Sequence, residues 1–326
     1  MITLTAGSAN ELYTAACYAV GRDGVMVSPR GMTTTEVLGA HLCLTDPRRR
    51  LVDLPPTRVI NPAFAVAETL WILSGSDEPW IFDYNRALAR YTDDGRLQGA
   101  YGPRMRRWGG RIDQLDQVRR LLARDPDSRQ GVIQLFDPER DTRGHRDVPC
   151  TLGYRFFLRS GRLHMHTTMR SQDLWLGFPY DIFAATLLQE LLAGWLGVEL
   201  GEYHHHVDSL HLYAAHMQAA ASLPAKAEPS VSMPAIRVEW DGFSGLLSDV
   251  IAGRAPLHAD AMWTMLAATM ASYRAWTSGD REQARASAAA THGVLGRALE
   301  RWYDHITATP RADSTPAGAA TSGAAR

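Results

Sequence analysis

The chain is predicted to fold as an α+β protein in which a mixed β-sheet packs against buried helices. Segments with strand and helix patterns interleave along the 326 residues without a regular strand–helix–strand repeat, which disfavours a doubly wound parallel sheet. Two strand-like runs, 151–159 and 162–168, are joined by Ser160-Gly161, which is a hairpin signal. Two further segments are apolar on nearly every helical face, so both are expected to be buried helices.

The first buried helix is expected to begin at Asn61-Pro62 and to end at Ser74-Gly75. Asparagine is a favoured N-cap and proline fits the first helical turn. Glu68 is the only charged residue of this helix. A buried carboxylate is costly unless it is paired or protonated, and burial raises its pKa toward the range of general acid–base catalysis. The sequence leaves a structural and a catalytic role for Glu68 equally open.

The other predicted elements follow from periodicity and turn residues. We predict an amphipathic helix at 112–123, a strand at 131–136, a second buried helix at 182–196, and strand and loop at 201–213. A Pro- and Ala-rich loop at 223–234 precedes two helices, at about 257–276 and 280–305. Residues 307–326 cannot bury apolar surface and are expected to be disordered.

The composition is that of a soluble globular protein. The net charge is −1, which gives no sign of a nucleic-acid or membrane partner. Lys226 is the only lysine, so any anion site must use arginine guanidinium groups. Three cysteines are too few for a disulfide framework, and we see neither a signal peptide nor an apolar run of the ~20 residues that cross a bilayer. A cytoplasmic location is expected.

Several polar residues are candidates for chemistry. Cys150 follows a proline, and it is either an inert buried thiol or a nucleophile whose thiolate nearby arginines favour. Arg170-Ser171 ends a strand and suits a phosphate monoester, although a surface arginine is the simpler interpretation; Arg30 and Arg129 are of the same kind. Asp181 precedes the second buried helix, where an N-cap role alone would explain it.

The histidine-rich run Y-H-H-H-V-D-S-L-H suggests a metal only weakly. On a strand, His204, His206 and Asp208 would share one face. Their spacing matches no established zinc motif, so we predict no metal site.

Taken together, short motifs between residues 28 and 216 resemble the thymidylate synthase family. They occur in the family's order: S-P-R-G, A-E-T-L-W-I-L-S-G, G-A-Y-G-P-R-M-R, D-P-D-S-R, V-P-C, M-R-S-Q-D-L-W-L-G-F-P-Y-D-I and D-S-L-H-L-Y-A-A-H. The resemblance implies a thymidylate synthase-like catalytic domain over residues 1–306, with 222–306 as a divergent helical part, and a homodimer formed through the sheet.

The resemblance also implies roles for individual residues. Cys150 matches the nucleophile that adds to C6 of a pyrimidine, Glu68 the carboxylate that organises water, and Tyr101 the tyrosine near the C5 proton. Substrate-binding positions match Arg30, Arg129, Arg170, Ser171, Asp173, His211 and Tyr213, with Arg129 donated across the dimer interface. The pocket for 5,10-methylenetetrahydrofolate matches Asp173, Leu176 and Gly177.

Asp181 departs from the synthases that act on dUMP, which have asparagine at its position. A carboxyl group suits the 4-amino group and N3 of cytosine, and the family's cytidylate hydroxymethylases carry aspartate here. A proton shared with N3 would also ease attack at C6. The sequence therefore predicts a one-carbon transferase that hydroxymethylates C5 of CMP, with dCMP as a weaker substrate, similar to the CMP hydroxymethylases of mildiomycin-type nucleoside antibiotic biosynthesis.

Other departures leave alternatives open. Thr151 replaces a usual His, Met169 a usual Gln and Gln130 a second cross-dimer Arg, while the C-terminal third has no match to the family. The alternatives are a dCMP hydroxymethylase for DNA modification, a thymidylate synthase that methylates dUMP, and a nucleotide-binding homologue without catalysis.

Overall fold

The computed structural model of the protein describes residues 1–255 and 260–308. Within these residues, eight strands form one sheet. In chain order the strands are β1 (Ile2–Ala6), β2 (Val25–Val27), β3 (Thr34–Leu44), β4 (Val132–Gln134), β5 (Thr151–Arg159), β6 (Arg162–Met169), β7 (Gln172–Asp173) and β8 (Glu199–Tyr213).

The sheet is mixed, as predicted. Its main order is β1-β3-β8-β6-β5-β4, and the short strands β2 and β7 pair with β3 and β8. The β1–β3, β6–β8 and β7–β8 pairs are parallel, whereas β2–β3, β3–β8, β4–β5 and β5–β6 are antiparallel. The α+β fold class is therefore confirmed.

The predicted hairpin between β5 and β6 is also confirmed. Ser160 and Gly161 both have positive φ, 51° and 71°. Two consecutive left-handed residues form the type of tight turn whose twist matches that of paired antiparallel strands. The turn sets a register in which Thr151 pairs with Met169. As a result, Cys150 and Arg170 are adjacent at the open end of the hairpin.

Eleven α-helices occur in the described residues, together with three short 3₁₀ turns. They are α1 (Ala9–Asp23), α2 (Pro62–Leu73), α3 (Tyr101–Arg106), α4 (Gln114–Arg124), α5 (Pro138–Asp141), α6 (Phe178–Leu196), α7 (Ala214–Ala221), α8 (Trp240–Ile251), α9 (Ala261–Ser278), α10 (Arg281–Ala290) and α11 (Val294–Ala308). None of these helices is long and apolar enough to cross a membrane.

Helix α2 begins and ends where the sequence predicts. The Asn61 side chain accepts hydrogen bonds from the backbone N–H groups of Ala63 and Phe64, a cap that is worth ~1 kcal/mol. The helix packs against α6 on one side and against α8, α9 and α11 on the other. The C-terminal helices thus enclose the helix that carries Glu68, and Asn61 reinforces this contact by donating to Tyr273 Oη at 3.3 Å.

Several predicted boundaries are wrong. Helix α6 begins at Phe178 rather than at residue 182, and residues 199–213 form one continuous strand because β8 pairs on both sides. The C-terminal part also contains the unpredicted α8. The predicted helix at 280–305 is two helices, since Gly293, with a φ of 97°, separates α10 from α11.

Two predictions fall partly outside the described residues. The helix expected at 257–276 begins at Ala261, and residues 257–259 lie outside the described ranges. Of the tail expected to be disordered, residues 307 and 308 belong to α11, whereas 309–326 lie outside those ranges.

Candidate active site

Four residues from separate elements meet beside the open end of the β5–β6 hairpin. Glu68 lies in the middle of α2, Tyr101 begins α3, Cys150 precedes β5, and Asp181 lies in the first turn of α6. All four are partly exposed rather than sealed in the core. The Asp181 carboxyl is close enough to raise the pKa of the other three. The sequence-predicted catalytic residues are therefore brought together.

Cys150 is held by Arg170. The Arg170 guanidinium donates to the carbonyl oxygens of Pro149 and Val148, both at 2.9 Å, and its Nη2 lies 3.7 Å from Cys150 Sγ. Burial raises the pKa of the thiol above its usual 9.0, and the charges of Arg170 and Arg30 oppose that shift. The arrangement supplies the cationic environment that a reactive thiolate requires.

Tyr101 lies beside the nucleophile. Its hydroxyl accepts the backbone N–H of Thr151 at 3.2 Å. Burial, followed by the charges of Asp181 and Cys150, raises the pKa of the phenol well above 10.0. Tyr101 is therefore a neutral hydroxyl that is able to donate one proton into the site.

The two carboxyl groups of the site hold protons tightly. Burial, with Asp181 as the second cause, raises the pKa of Glu68 from 4.5 to about 8. Burial also raises the pKa of Asp181 from 3.8 to about 6, although a hydrogen bond from Gln172 opposes the shift. Two carboxyls with different raised pKa values are the usual sign of an acid–base pair.

The helix-cap interpretation of Asp181 is wrong. Helix α6 begins four residues earlier than predicted, its N-cap residue is Gly177, and no side chain caps it. Instead, Asp181 Oδ2 accepts a hydrogen bond from Gln172 Nε2 at 2.9 Å. Asp181 therefore does not cap the helix, and its carboxyl group is hydrogen-bonded to Gln172 on β7.

The residues predicted to bind phosphate and ribose lie at the rim of the site. Arg30 is exposed in a left-handed turn, with a φ of 52°, and its charge acts on Cys150 and Tyr213. The rings of His211 and Tyr213 meet edge to face at 5.3 Å near the end of β8. Ser171 lies between β6 and β7, directly after Arg170, and is partly exposed.

Arg129 is not brought to this cluster by its own chain. It is exposed in the loop between α4 and β4. No hydrogen bond or ion pair involves its side chain within residues 1–255 and 260–308. Its predicted role requires a second copy of the chain, and it stays a prediction.

The expected folate pocket is compatible with the residues present. Asp173 Oδ1 accepts the N–H groups of Trp175 and Leu176, both at 2.9 Å, which leaves Oδ2 able to accept from a ligand. Leu176 is 52% exposed beside this turn and offers apolar surface to an aromatic ring system. Gly177 follows, and a Cβ there would lie only 2.7 Å from Gln172 Nε2. These residues fit a pterin-like group.

The sequence analysis missed Gln172 and Arg58. Gln172 stands inside the M-R-S-Q-D motif, and only its position between two predicted site residues could have singled it out. Arg58 lies over the Trp175 ring at 5.0 Å and donates to the Trp175 carbonyl at 2.8 Å, so it holds the turn that carries Asp173 and Leu176. No local pattern marks Arg58.

The histidines form a stacked group on the opposite side of the sheet. His204 and His206 share one face of β8, as predicted, and stack with His166 and His41 at 4.3 and 4.5 Å. Among the described residues, the atoms close enough to share a metal belong instead to Cys43, Glu202 and His204. Burial and Glu202 raise the pKa of Cys43 to about 11, so its sulfur carries a proton at neutral pH.

Fold and site together define a class: an α+β protein in which a cysteine before β5 and an adjacent arginine lie close to two helix carboxyls with raised pKa values. The chain belongs to the thymidylate synthase family, whose sequence model matches residues 11–246. That family uses 5,10-methylenetetrahydrofolate as its one-carbon donor. The matched region includes Glu68, Tyr101, Cys150 and Asp181 and ends within α8.

Individual relatives include both hydroxymethylating and methylating enzymes by name. The chain is 36% identical over 227 residues to a deoxyuridylate hydroxymethyltransferase of Bacillus phage SP01, covering 65% of this chain and 59% of the relative. It is 30% identical over 175 residues to a thymidylate synthase of Bacillus licheniformis, covering 51% and 62%. The chain thus spans about three-fifths of the length of these relatives.

Proposed function

We propose that the protein hydroxymethylates C5 of cytidine 5′-monophosphate, with dCMP as a weaker substrate. The observation that carries the proposal is Asp181, a carboxyl with a pKa of about 6 near Cys150 that caps no helix. The similarity to a hydroxymethyltransferase supports the type of reaction. The name of that relative specifies deoxyuridylate, so Asp181 is what directs the proposal toward cytosine.

The protonated carboxyl group of Asp181 is complementary to cytosine. Cytosine presents an acceptor at N3 and a donor at the 4-amino group, and a protonated carboxyl offers the complementary donor and acceptor. Uracil presents a donor at N3 and an acceptor at O4, so with the Asp181 proton facing N3 its polar groups would be left unpaired in a buried site. Discrimination of this kind is large.

Cys150 supplies the nucleophile. Its thiolate adds to C6 of the base, so that C5 gains nucleophilic character while the Asp181 proton withdraws charge through N3. Arg170 supports this step by its charge beside Sγ. When 5,10-methylenetetrahydrofolate is bound, it supplies the one-carbon unit; Asp173, Leu176 and Gly177 would hold it.

Glu68 directs the outcome toward a hydroxymethyl group. With a pKa of about 8, it is protonated near neutral pH and is able to position and exchange a proton with water. The C5 proton and the carrier of the one-carbon unit leave first, so that an exocyclic methylene remains at C5. Water adds to this methylene and gives up a proton, and Cys150 leaves C6 as a thiolate to restore the aromatic ring. The neutral hydroxyl of Tyr101 is hydrogen-bonded to the backbone N–H of Thr151, the residue after Cys150.

The preference for ribose follows the resemblance to the CMP hydroxymethylases of mildiomycin-type nucleoside antibiotic biosynthesis. We also propose a homodimer through the sheet in which Arg129 completes the partner's phosphate site, which agrees with the exposure of Arg129 in its own chain.

Product mass tests the function. Purified protein is incubated with methylenetetrahydrofolate and, in parallel, with CMP, dCMP or dUMP. A hydroxymethyl group on CMP is the expected result, and a better yield from dCMP would favour DNA modification. The Cys150→Ala variant is the control, since it should release no tritium from C5-labelled CMP.

The second candidate is a reaction on dUMP. It is favoured by the identity to a deoxyuridylate hydroxymethyltransferase and to thymidylate synthases. A hydroxymethylated or methylated dUMP, with CMP unchanged, would establish this candidate and overturn the role given to Asp181. Binding of nucleotide without any product would instead identify a homologue without catalysis.

A further inference from the structure

We propose that Gln172 is a positioning residue that decides which oxygen of Asp181 carries the proton offered to the base. The inference rests on the proposed function and deepens it. Three buried residues, Gln172, His205 and Tyr203, are hydrogen-bonded in series and contact Asp181 through Gln172. We call this series the relay and propose that it contributes to base specificity.

The relay begins with the amide of Gln172, which is 2% exposed. Its Nε2 donates to Asp181 Oδ2 at 2.9 Å and to the Asp173 carbonyl at 3.2 Å. Its Oε1 lies 3.0 Å from His205 Nε2. Both ends of the amide are therefore occupied, and the Asp173 carbonyl, which can only accept, requires the NH₂ group at its end.

His205 lies at the oxygen end of the Gln172 amide. The ring is fully buried, and burial lowers its pKa to about 3, so it is neutral and carries a single proton. Its Nδ1 lies 2.7 Å from Tyr203 Oη, which is also hydrogen-bonded to Thr167 Oγ1 at 2.9 Å. The Asp173 carbonyl can only accept, so it directs the amide NH₂ group of Gln172 toward itself and toward Asp181. The amide oxygen of Gln172 then faces His205 Nε2 and is matched by a proton on that nitrogen.

The amide then makes the two oxygens of Asp181 unequal. Oδ2 accepts a hydrogen bond from Gln172, and a proton placed on Oδ2 would compete with that bond. Oδ1 is left to carry the proton and to donate it to cytosine N3, while Oδ2 retains a lone pair for the 4-amino group. Without Gln172 the proton would be free to occupy either oxygen.

Gly177 provides the space for this contact. Its φ of −95° is accessible to any residue, so the backbone does not require glycine there. A Cβ at this position would lie 2.7 Å from Gln172 Nε2 and 3.3 Å from Asp181 Oδ2. It would also lie 3.1 Å from the backbone oxygen of Asp173, so the absence of a side chain leaves room both for the Gln172–Asp181 hydrogen bond and for the Asp173 carbonyl.

The test compares Gln172→Met with Gln189→Met, both in a Cys150→Ala background so that binding is measured without turnover. Gln189 is the matched control, because it is a fully buried glutamine that donates to backbone carbonyls of Leu163, Gly201 and Glu202. Calorimetry gives the affinities for CMP and UMP. We expect Gln172→Met to reduce the CMP-to-UMP affinity ratio by about tenfold, the value of one buried hydrogen bond, and Gln189→Met to leave it unchanged.

The outcomes separate the two levels of the proposal. If the Cys150→Ala protein itself prefers UMP, the proposed base preference fails, whatever Gln172→Met does. If it prefers CMP and Gln172→Met keeps the ratio within twofold, the positioning role is overturned and the base preference stands. Should Gln172→Met not fold, Gly177→Ala tests the same contact from the surface. An unchanged ratio in that variant also overturns the positioning role.

Discussion

Arg170 and Cys150 are joined at the open end of one hairpin. Arg170 Nη2 lies 3.7 Å from Cys150 Sγ, and the Arg170 backbone N–H donates to the Cys150 carbonyl at 2.9 Å. The same guanidinium holds the carbonyls of Val148 and Pro149. One side chain thus fixes the loop before the nucleophile and places positive charge beside its sulfur.

Arg170→Gln should make the thiol less reactive. Removing the charge leaves burial to raise the pKa of Cys150 further, so less thiolate is present at a given pH. We expect alkylation of Cys150 by iodoacetamide at pH 8 to slow by about tenfold, which corresponds to one pKa unit. Peptide mass spectrometry measures the rate at each cysteine. Arg143→Gln, which removes an exposed arginine paired with Glu139, is the control and should leave the rate unchanged.

Asp181→Asn should move base preference from cytosine to uracil. The asparagine amide is able to accept from uracil N3–H and to donate to uracil O4. It matches the N3 acceptor and the 4-amino donor of cytosine less well. We expect the ratio of kcat/KM for CMP over dUMP to fall at least about a hundredfold. Asp208→Asn, at an exposed position on β8, is the control. An unchanged ratio for Asp181→Asn would contradict the assignment of Asp181 to the base.

Affinity for CMP should depend on pH through Asp181. The carboxyl carries its proton below a pKa of about 6 and loses it above, and the proposed contact to N3 needs that proton. In a Cys150→Ala background, Kd should therefore stay constant below pH 6 and rise by up to about tenfold per pH unit above it. Calorimetry in buffers of different ionisation enthalpy would also reveal proton uptake on binding. Asp181→Asn should abolish both effects.

Glu68→Gln should stabilise the folded protein at alkaline pH. Because the pKa of Glu68 rises from 4.5 to about 8 on folding, the folded state binds the proton more tightly and stability falls as pH rises through this window. The amide has no charge to bury, so the variant gains on the order of a few kcal/mol relative to wild type at pH 9. Urea unfolding at pH 4.5 and pH 9 measures the difference, with exposed Glu282→Gln as control. An equal effect at both pH values would exclude ionisation as the cause.

Local signals account for the parts of the fold that the sequence predicts well. Asn61 caps α2 through contacts two and three residues away, and Ser160-Gly161 sets a hairpin between neighbouring strands. The hairpin register alone is enough to bring Cys150 beside Arg170. The cap prediction for Asp181 is wrong because Pro179 lies in the first turn of α6, so the helix begins before Asp181.

Long-range pairing accounts for what the sequence does not predict. Gln172 and His205 are hydrogen-bonded across 33 residues of sequence, a contact that no local pattern predicts. Arg58 reaches Trp175 across 117 residues of sequence. Local sequence therefore marks Cys150 and Glu68 as candidates, whereas Gln172 and Arg58 are identified only by contacts between distant parts of the chain.

Mixing two inactive variants should restore activity if Arg129 acts across a dimer. In a heterodimer of Arg129→Ala and Cys150→Ala chains, one site combines an intact Cys150 with an intact Arg129 from the other chain, and the other site lacks both. Random exchange makes half of the dimers heterodimers, so about a quarter of wild-type activity should return. Turnover of CMP is measured after mild denaturation and refolding of the mixture, with each variant refolded alone as a control. No recovery, in a sample that forms dimers by light scattering, would place the function of Arg129 within its own chain or outside the site.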